Sequence, residues 1–315
     1  MAKKATRKKT KAKSAKSKSP KRAVRKVAAK KSSSSKFPAV AFIGVGNMAE
    51  EMVNACVNSG WPRDRLFLTH RRPERRAELQ KRFKVKVGDD NLAAVRNADC
   101  VVLAVRPQEF PGLLETLQPA FRPGQTLISI AAGLLVEWLQ KRLPKGMKAI
   151  RVTPPPTAWV SAGVTLLSCD PDANPAHRRV AERLVKGTCD RIEWIPDSIM
   201  EPLVAISLAI TPYTCYWLET LIKTGIEQGI DPDHARRAVM EGNWATALLL
   251  KNSGFSPDTI ISKVATREGL TYASLHTMEA HDVHGGIRAG ARSMTARSFE
   301  FRGEPVPPDY KGFSR

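Results

Sequence analysis

The sequence predicts a doubly wound α/β fold built on a parallel sheet, followed by an all-helical domain. Three observations carry this expectation. From residue 37, short apolar runs alternate with longer amphipathic segments, the pattern of strands joined by crossover helices. The first apolar run ends in a glycine pair, Gly44 and Gly46, that leads straight into a helical pattern. After Pro196 the alternation stops, and residues 197–300 read as helices parted near Gly229, Gly254, Gly269 and Gly285-Gly286.

Taken in order, the strand candidates are 39–43, 65–69, 84–87, 100–105, 126–131 and 147–152. The helical patterns between them fall around 47–59, 73–83, 91–97, 108–118 and 134–142. Punctuation supports the boundaries: Gly60 closes the first helix, Asp99 precedes a strand and Gly133 follows one. Residues 163–195 read as a strand, a polar helix at 175–187 and a short strand from Arg191 to Ile195. Leu203 to Leu221 is apolar enough to be buried on most sides, and Pro212 is expected to kink it or to begin a new helix, since it removes a backbone donor. Ser207, Thr211 and Glu219 make this stretch a poor membrane span. A core helix partly covered by a second subunit is expected instead, and with it a homodimer or higher homo-oligomer.

The chain has 315 residues, 42% of them hydrophobic, enough for two domains with sizeable cores. Residues 1–36 hold 16 Lys or Arg and no acidic residue, which leaves +5 of the formal +21 for the rest. This tail has almost no large apolar residues and is expected to be disordered. Two readings of it stand. One is a solubilising arm with non-specific attraction for polyanions. The other is a nucleic-acid tether through phosphate contacts, because its Lys/Ala/Ser composition, with Ser19-Pro20-Lys21-Arg22, resembles histone H1-type tails. The expected division is therefore 1–36 tail, 37–196 nucleotide-binding domain, 197–300 helical domain and 301–315 C-terminal tail. No secretory segment and no apolar run of about 18 residues occurs. A soluble cytoplasmic protein without membrane contact is expected. The five scattered cysteines lack C-x-x-C spacing, which argues against disulfides and cysteine metal sites and makes Cys100 a core residue.

The chemistry lies at the strand ends. A strand, a tight turn at Gly44-Val45-Gly46 and a helix opening with Asn47 and Met48 form a Rossmann-type phosphate site. The first glycine permits the turn, the second lets backbone approach a pyrophosphate, and the helix N-terminus supplies free N–H donors. Ala49 stands where a third glycine often lies. The second strand ends in Thr69-His70-Arg71-Arg72, where an NAD-selective site usually places an acid. A hydroxyl, an imidazole and two guanidinium groups suit a 2′-phosphate, so NADP is expected, with NAD as the alternative cofactor. The competing account of Arg71 and Arg72 is a solvated surface pair. Two more strand ends, Ala104-Val105-Arg106-Pro107 and Ala131-Ala132, should face the cofactor, the second with side chains small enough to admit a nicotinamide ring.

These residues resemble the pyrroline-5-carboxylate reductases. The matching pieces are Ile43–Glu50, Pro73-Glu74-Arg75, Asp90-Asn91, Leu103–Gln108 and Ser129–Leu134. The resemblance spans about residues 38–300. It implies NADPH-dependent reduction of 1-pyrroline-5-carboxylate to L-proline, the last step of proline biosynthesis. It also implies that Asn91 contacts the adenosine side of the cofactor and that the helical half serves dimerisation and substrate binding.

The second half departs from the family pattern. Thr153-Pro154-Pro155-Pro156-Thr157 replaces a Met-Pro-Asn-Thr-Pro turn, and Leu208 and Ile210 replace two glycines. In the substrate turn Ala265-Thr266-Arg267-Glu268-Gly269-Leu270-Thr271, Thr266 and Thr271 keep the hydroxyls that would position the substrate carboxylate. Arg267 and Glu268 are new charges there. Imine reduction asks mainly for positioning, since the iminium is already an electrophile. Two alternatives follow: reduction of a different imino or keto acid, or a non-catalytic NADP-binding protein tethered to nucleic acid by its tail. A metal at His281 and His284, with Glu279 nearby, would need a third convergent ligand that the sequence does not show, so no metal is expected.

Overall fold

The structure, a computed structural model, describes residues 37–312. The expected disorder and polyanion contacts of residues 1–36 lie outside the described residues, as do the last three residues of the C-terminal tail. Among the described residues eight strands form one sheet. In chain order they are β1 (Val40–Ile43), β2 (Leu66–Thr69), β3 (Lys86–Gly88), β4 (Cys100–Leu103), β5 (Thr126–Ser129), β6 (Lys148–Thr153), β7 (Val164–Cys169) and β8 (Arg191–Trp194). Their spatial order is β3-β2-β1-β4-β5-β6-β7-β8. The order reverses between β1 and β4, and at such a switch point a crevice opens beyond the carboxyl ends of the strands.

The inner strands are apolar on both faces, as a sheet covered on both sides requires. Val40, Phe42, Cys100 and Val102 pack into one core layer, under α1 (Asn47–Asn58) and α6 (Pro175–Val185). Ala41, Ile43, Val101 and Leu103 alternate into the other layer, under α3 (Asn91–Arg96), α4 (Phe110–Leu117) and α5 (Val136–Gln140). Along α1 the buried Ala49, Met52, Val53 and Cys56 follow helical spacing and form a single stripe. The remaining crossover helix, α2 (Pro73–Phe83), starts with proline at its first position, where the missing N–H costs nothing.

The sheet is not wholly parallel. β7 runs antiparallel to β6, with Arg151 opposite Ser168. Only a short 3₁₀ turn, Pro156–Val160, joins these strands, too little chain for the crossover that parallel pairing needs. All five cysteines are free. Burial pushes the Cys56 thiol up to about 12 and raises that of Cys100 as well, so both behave as small core residues.

Among the described residues only helices follow β8: α7 (Met200–Glu227), α8 (Pro232–Ser253), α9 (Pro257–Val264), α10 (Leu270–Ala280) and α11 (Val283–Arg302). Of the two expectations for Pro212, a new helix is not what occurs, because α7 runs through it. Pro212 lies on an exposed side, where the carbonyl it leaves without a donor can meet solvent. Within one protomer the helix is not buried on most sides, and the expected cover from a second subunit would fall on its open face. Ile206, Ile210, Trp217 and Leu221 form an exposed stripe on α7. The helical stretch Asp197–Glu227 is long and apolar enough by composition to cross a membrane, but the stripe occupies one face only. Two bonds fasten α11 to α5 and to the loop after β5: Trp138 Nε1 donates to the Arg302 carbonyl (3.3 Å), and Arg302 Nη1 donates to the Gly133 carbonyl (2.9 Å).

Candidate active site

The turn after β1 has its conformation forced by glycine. Gly44 adopts φ +80°, and a Cβ placed there would meet Val105 Cγ1 at 2.5 Å. The Gly44 and Val45 N–H groups both donate to the Thr69 carbonyl (3.2 Å), which locks the turn onto β2. Gly46 is different: a Cβ there would meet nothing within 4 Å, so its backbone borders open space. Gly46 also caps α1 without any side-chain hydrogen bond. The first-turn N–H groups, those of Asn47 and Met48 among them, are therefore left for an acceptor from outside the helix. This cradle fits a pyrophosphate. Ala49 is buried against the sheet at 1% exposure, so a third glycine is not needed.

The cradle opens into a cleft of about 390 Å³, bordered by Thr69, His70, Arg71, Asn91, Ala104, Val105 and Arg106. Thr69 borders the cleft while largely buried, and its Oγ1 donates to the Phe42 carbonyl (3.5 Å). His70 Nδ1 accepts from the Arg72 backbone N–H (3.1 Å). Burial first, then the neighbouring Arg72, Arg71 and Arg76 guanidinium groups, holds His70 below the ordinary imidazole value. Its ring is accordingly neutral at neutral pH. Arg71 reaches the cleft wall, whereas Arg72 is exposed and lies outside that wall.

Arg76, which the sequence did not single out, braces this loop. Its Nη1 donates to the carbonyls of His70 (3.1 Å) and Arg71 (3.0 Å), and its Nη2 pairs with Asp89 (3.2 Å). The opposite wall carries Arg106, whose side chain donates to Glu109 (3.0 Å) and holds that carboxyl below its usual range. Pro107 opens the 3₁₀ turn that sets this pair and does not itself border the cleft. Asn91 is the first residue of α3, fixed there by Asp90, whose side chain accepts from Ala93 N–H (2.9 Å).

At the end of the neighbouring β5, Ala131 is buried and Ala132 and Gly133 border a second cavity of about 510 Å³. Gly133 has φ +85°, and a Cβ there would meet Phe301 Cδ2 at 2.8 Å. The other walls come from α7 and α11, with Glu201, Leu208, Ser293 and Arg297. None of these four stands near another in the sequence in a way that marks a site. Thr266 and Thr271 are both exposed and border neither cavity within one protomer. Among the described residues no group of three or more His, Cys, Asp or Glu side chains is placed to hold a metal.

Comparison with known proteins follows the same division. Residues 39–133 match the family model described as NADP oxidoreductase, coenzyme F420-dependent. Residues 197–301 match the model for pyrroline-5-carboxylate reductase dimerisation. The chain is 26% identical over 263 residues to pyrroline-5-carboxylate reductase 1 of Bacillus spizizenii, covering 83% of this chain and 88% of that one. It is 28% identical to the pyrroline-5-carboxylate reductase of Haemophilus influenzae, covering 83% and 96%. Among solved structures it resembles a Plasmodium falciparum pyrroline carboxylate reductase with NADP bound. That pair has TM-score 0.75 and 19% identity, covering 84% of this chain and 98% of that one. The Streptococcus pyogenes enzyme gives TM-score 0.76 at 22% identity, covering 84% and 99%.

Proposed function

We propose that the chain is a pyrroline-5-carboxylate reductase, reducing 1-pyrroline-5-carboxylate to L-proline with NADPH, a reading that its similarity to such enzymes supports. The observation that carries this reading is the Gly44–Gly46 cradle at the β1/β4 switch point, one strand away from a second cavity at the end of β5. A dinucleotide laid from the first to the second would bring its nicotinamide ring to Ala132. When bound, the cofactor supplies a hydride.

The rest falls to the chain's own residues. Gly44, Gly46, Asn47 and Met48 offer backbone to the pyrophosphate. Arg71, with Arg72 and the neutral His70, faces the 2′-phosphate, and Asn91 lies on the adenosine side. Ala104, Val105 and Arg106 shape the floor, and Ala131 and Ala132 leave room for the nicotinamide. In this reading residues 37–196 hold the cofactor, and residues 197–300 serve substrate binding and assembly. The protein acts on a small molecule as a homo-oligomer, consistent with its dimerisation region.

The test is turnover. Purified protein with NADPH and 1-pyrroline-5-carboxylate should consume NADPH and release L-proline, with NADH used less well. A folded oligomer that binds NADPH but leaves it unoxidised in the presence of the imino acid would remove this reading.

A further inference from the structure

Thr69 and Gly88 are the last register pair of β2 and β3, and beyond them the two strands part into α2 and α3. One backbone bond follows, from the His70 N–H to the Gly88 carbonyl (3.0 Å). From there each loop carries its own piece of the cleft wall. His70 and Arg71 stand on one side, and Asn91, two residues after Asp89, stands on the other. Arg76 closes the gap between the loops. Its Nη1 donates to the His70 (3.1 Å) and Arg71 (3.0 Å) carbonyls, and its Nη2 pairs with Asp89 Oδ2 (3.2 Å). A planar guanidinium offers this fork of donors, and a lysine ammonium does not. Arg76 itself is no part of the cleft wall.

The charge around this loop is unbalanced. Arg76 stands on the first turn of α2, where the helix dipole disfavours a cation. Burial, and after it the guanidinium groups of Arg72, Arg71 and Arg76, disfavour the charged form of His70, which gathers all three around one ring. Neither Arg71 nor Arg72 forms an ion pair among the described residues, so Asp89 is the one carboxylate paired within this group. Two positive charges are left over. A phosphate monoester brings about 1.5 to 2 negative charges at neutral pH, which matches them.

We infer that Arg76 is a positioning residue for the cofactor's 2′-phosphate: it ties the His70-Arg71 backbone to the loop before Asn91 and masks the Asp89 carboxylate from the phosphate. This role rests on the NADPH reading above and sets the choice between NADPH and NADH. A loop held in place before binding avoids the ordering cost that a free loop carries at contact. An unmasked carboxylate on the neighbouring loop would repel the 2′-phosphate, the group that NADH lacks. Both effects therefore fall mainly on NADPH.

Affinity is read by fluorescence titration of the full chain with NADPH and with NADH, at low and high salt, so no turnover is needed. Arg76→Met should weaken NADPH about tenfold, the scale of one charge-assisted hydrogen bond, and NADH by no more than about twofold. Arg76→Lys keeps the charge and loses the fork, so its NADPH affinity should fall between. The double variant Arg76→Met/Asp89→Asn should bind NADPH about threefold better than Arg76→Met, the scale of one exposed charge pair, with the gain shrinking at high salt. If Arg76→Met does not fold, Asp89→Asn, at an exposed position, decides alone: NADPH affinity should rise about twofold while NADH stays unchanged. Equal losses for both cofactors in Arg76→Met, or none for either, overturn this role and leave the reductase reading intact. A double variant no better than the single one, or an unchanged Asp89→Asn, overturns the masking. Wild-type protein that binds neither cofactor overturns both this role and the reductase reading.

Discussion

Arg151, with no solvent exposure on β6, donates to Glu201 at the start of α7, joining the sheet to the helical half through a buried ion pair. A buried pair adds little net stability over an apolar replacement, but breaking it strands a charge. Arg151→Met should therefore cost about 3–5 kcal/mol in denaturant unfolding at fixed protein concentration. The double variant Arg151→Met/Glu201→Leu should recover most of that loss. If the single variant is as stable as wild type, the pair does not join the two parts as described.

Gly44 should not tolerate alanine. Its φ of +80° is costly for a residue with a Cβ, and that Cβ would strike Val105 on the opposite wall. Gly44→Ala should raise the NADPH dissociation constant at least about tenfold, given strain of about 1–3 kcal/mol at such a position. Fluorescence titration with NADPH reads this directly, and unchanged affinity would move the cofactor elsewhere.

Arg71 and Arg72 should set cofactor choice. Replacing both with Ser removes the charge-assisted bonds to a 2′-phosphate, worth about 1.5–3 kcal/mol each. NADPH affinity should fall about tenfold or more while NADH affinity stays the same. Since Arg71 alone reaches the cleft wall, Arg71→Ser should carry most of the change. Equal loss for both cofactors would show that these residues shape the loop instead.

The exposed stripe of α7 should be the assembly face. Ile206, Ile210, Trp217 and Leu221 fall on one side of the helix, and Ile210 is 63% exposed within one protomer. Contiguous apolar surface of this kind marks an interface. Ile210→Glu should shift the protein toward monomer in size-exclusion chromatography with light scattering. An unchanged mass would place the interface on another face.

The local elements were legible because their signals are local. The run Val40–Ile43, the glycines after it, Pro73 at the start of α2 and Asp90 as a cap each act within one turn of chain. The β7 direction was less legible, since pairing depends on how far the 3₁₀ turn at Pro156–Val160 can reach.

Sequence alone determined the α/β and helical halves, the phosphate cradle and the basic end of β2, all of them set by residues a few positions apart. Tertiary structure decided that Thr69 Oγ1 turns to the Phe42 carbonyl, that Arg76 braces the loop after β2 and that Thr266 and Thr271 border neither cavity within one protomer. It also decided that Arg151 on β6 meets Glu201 on α7. Their meeting follows from α7 packing back on the sheet, and burial, unlike turn geometry, depends on long-range packing that no short run of residues encodes.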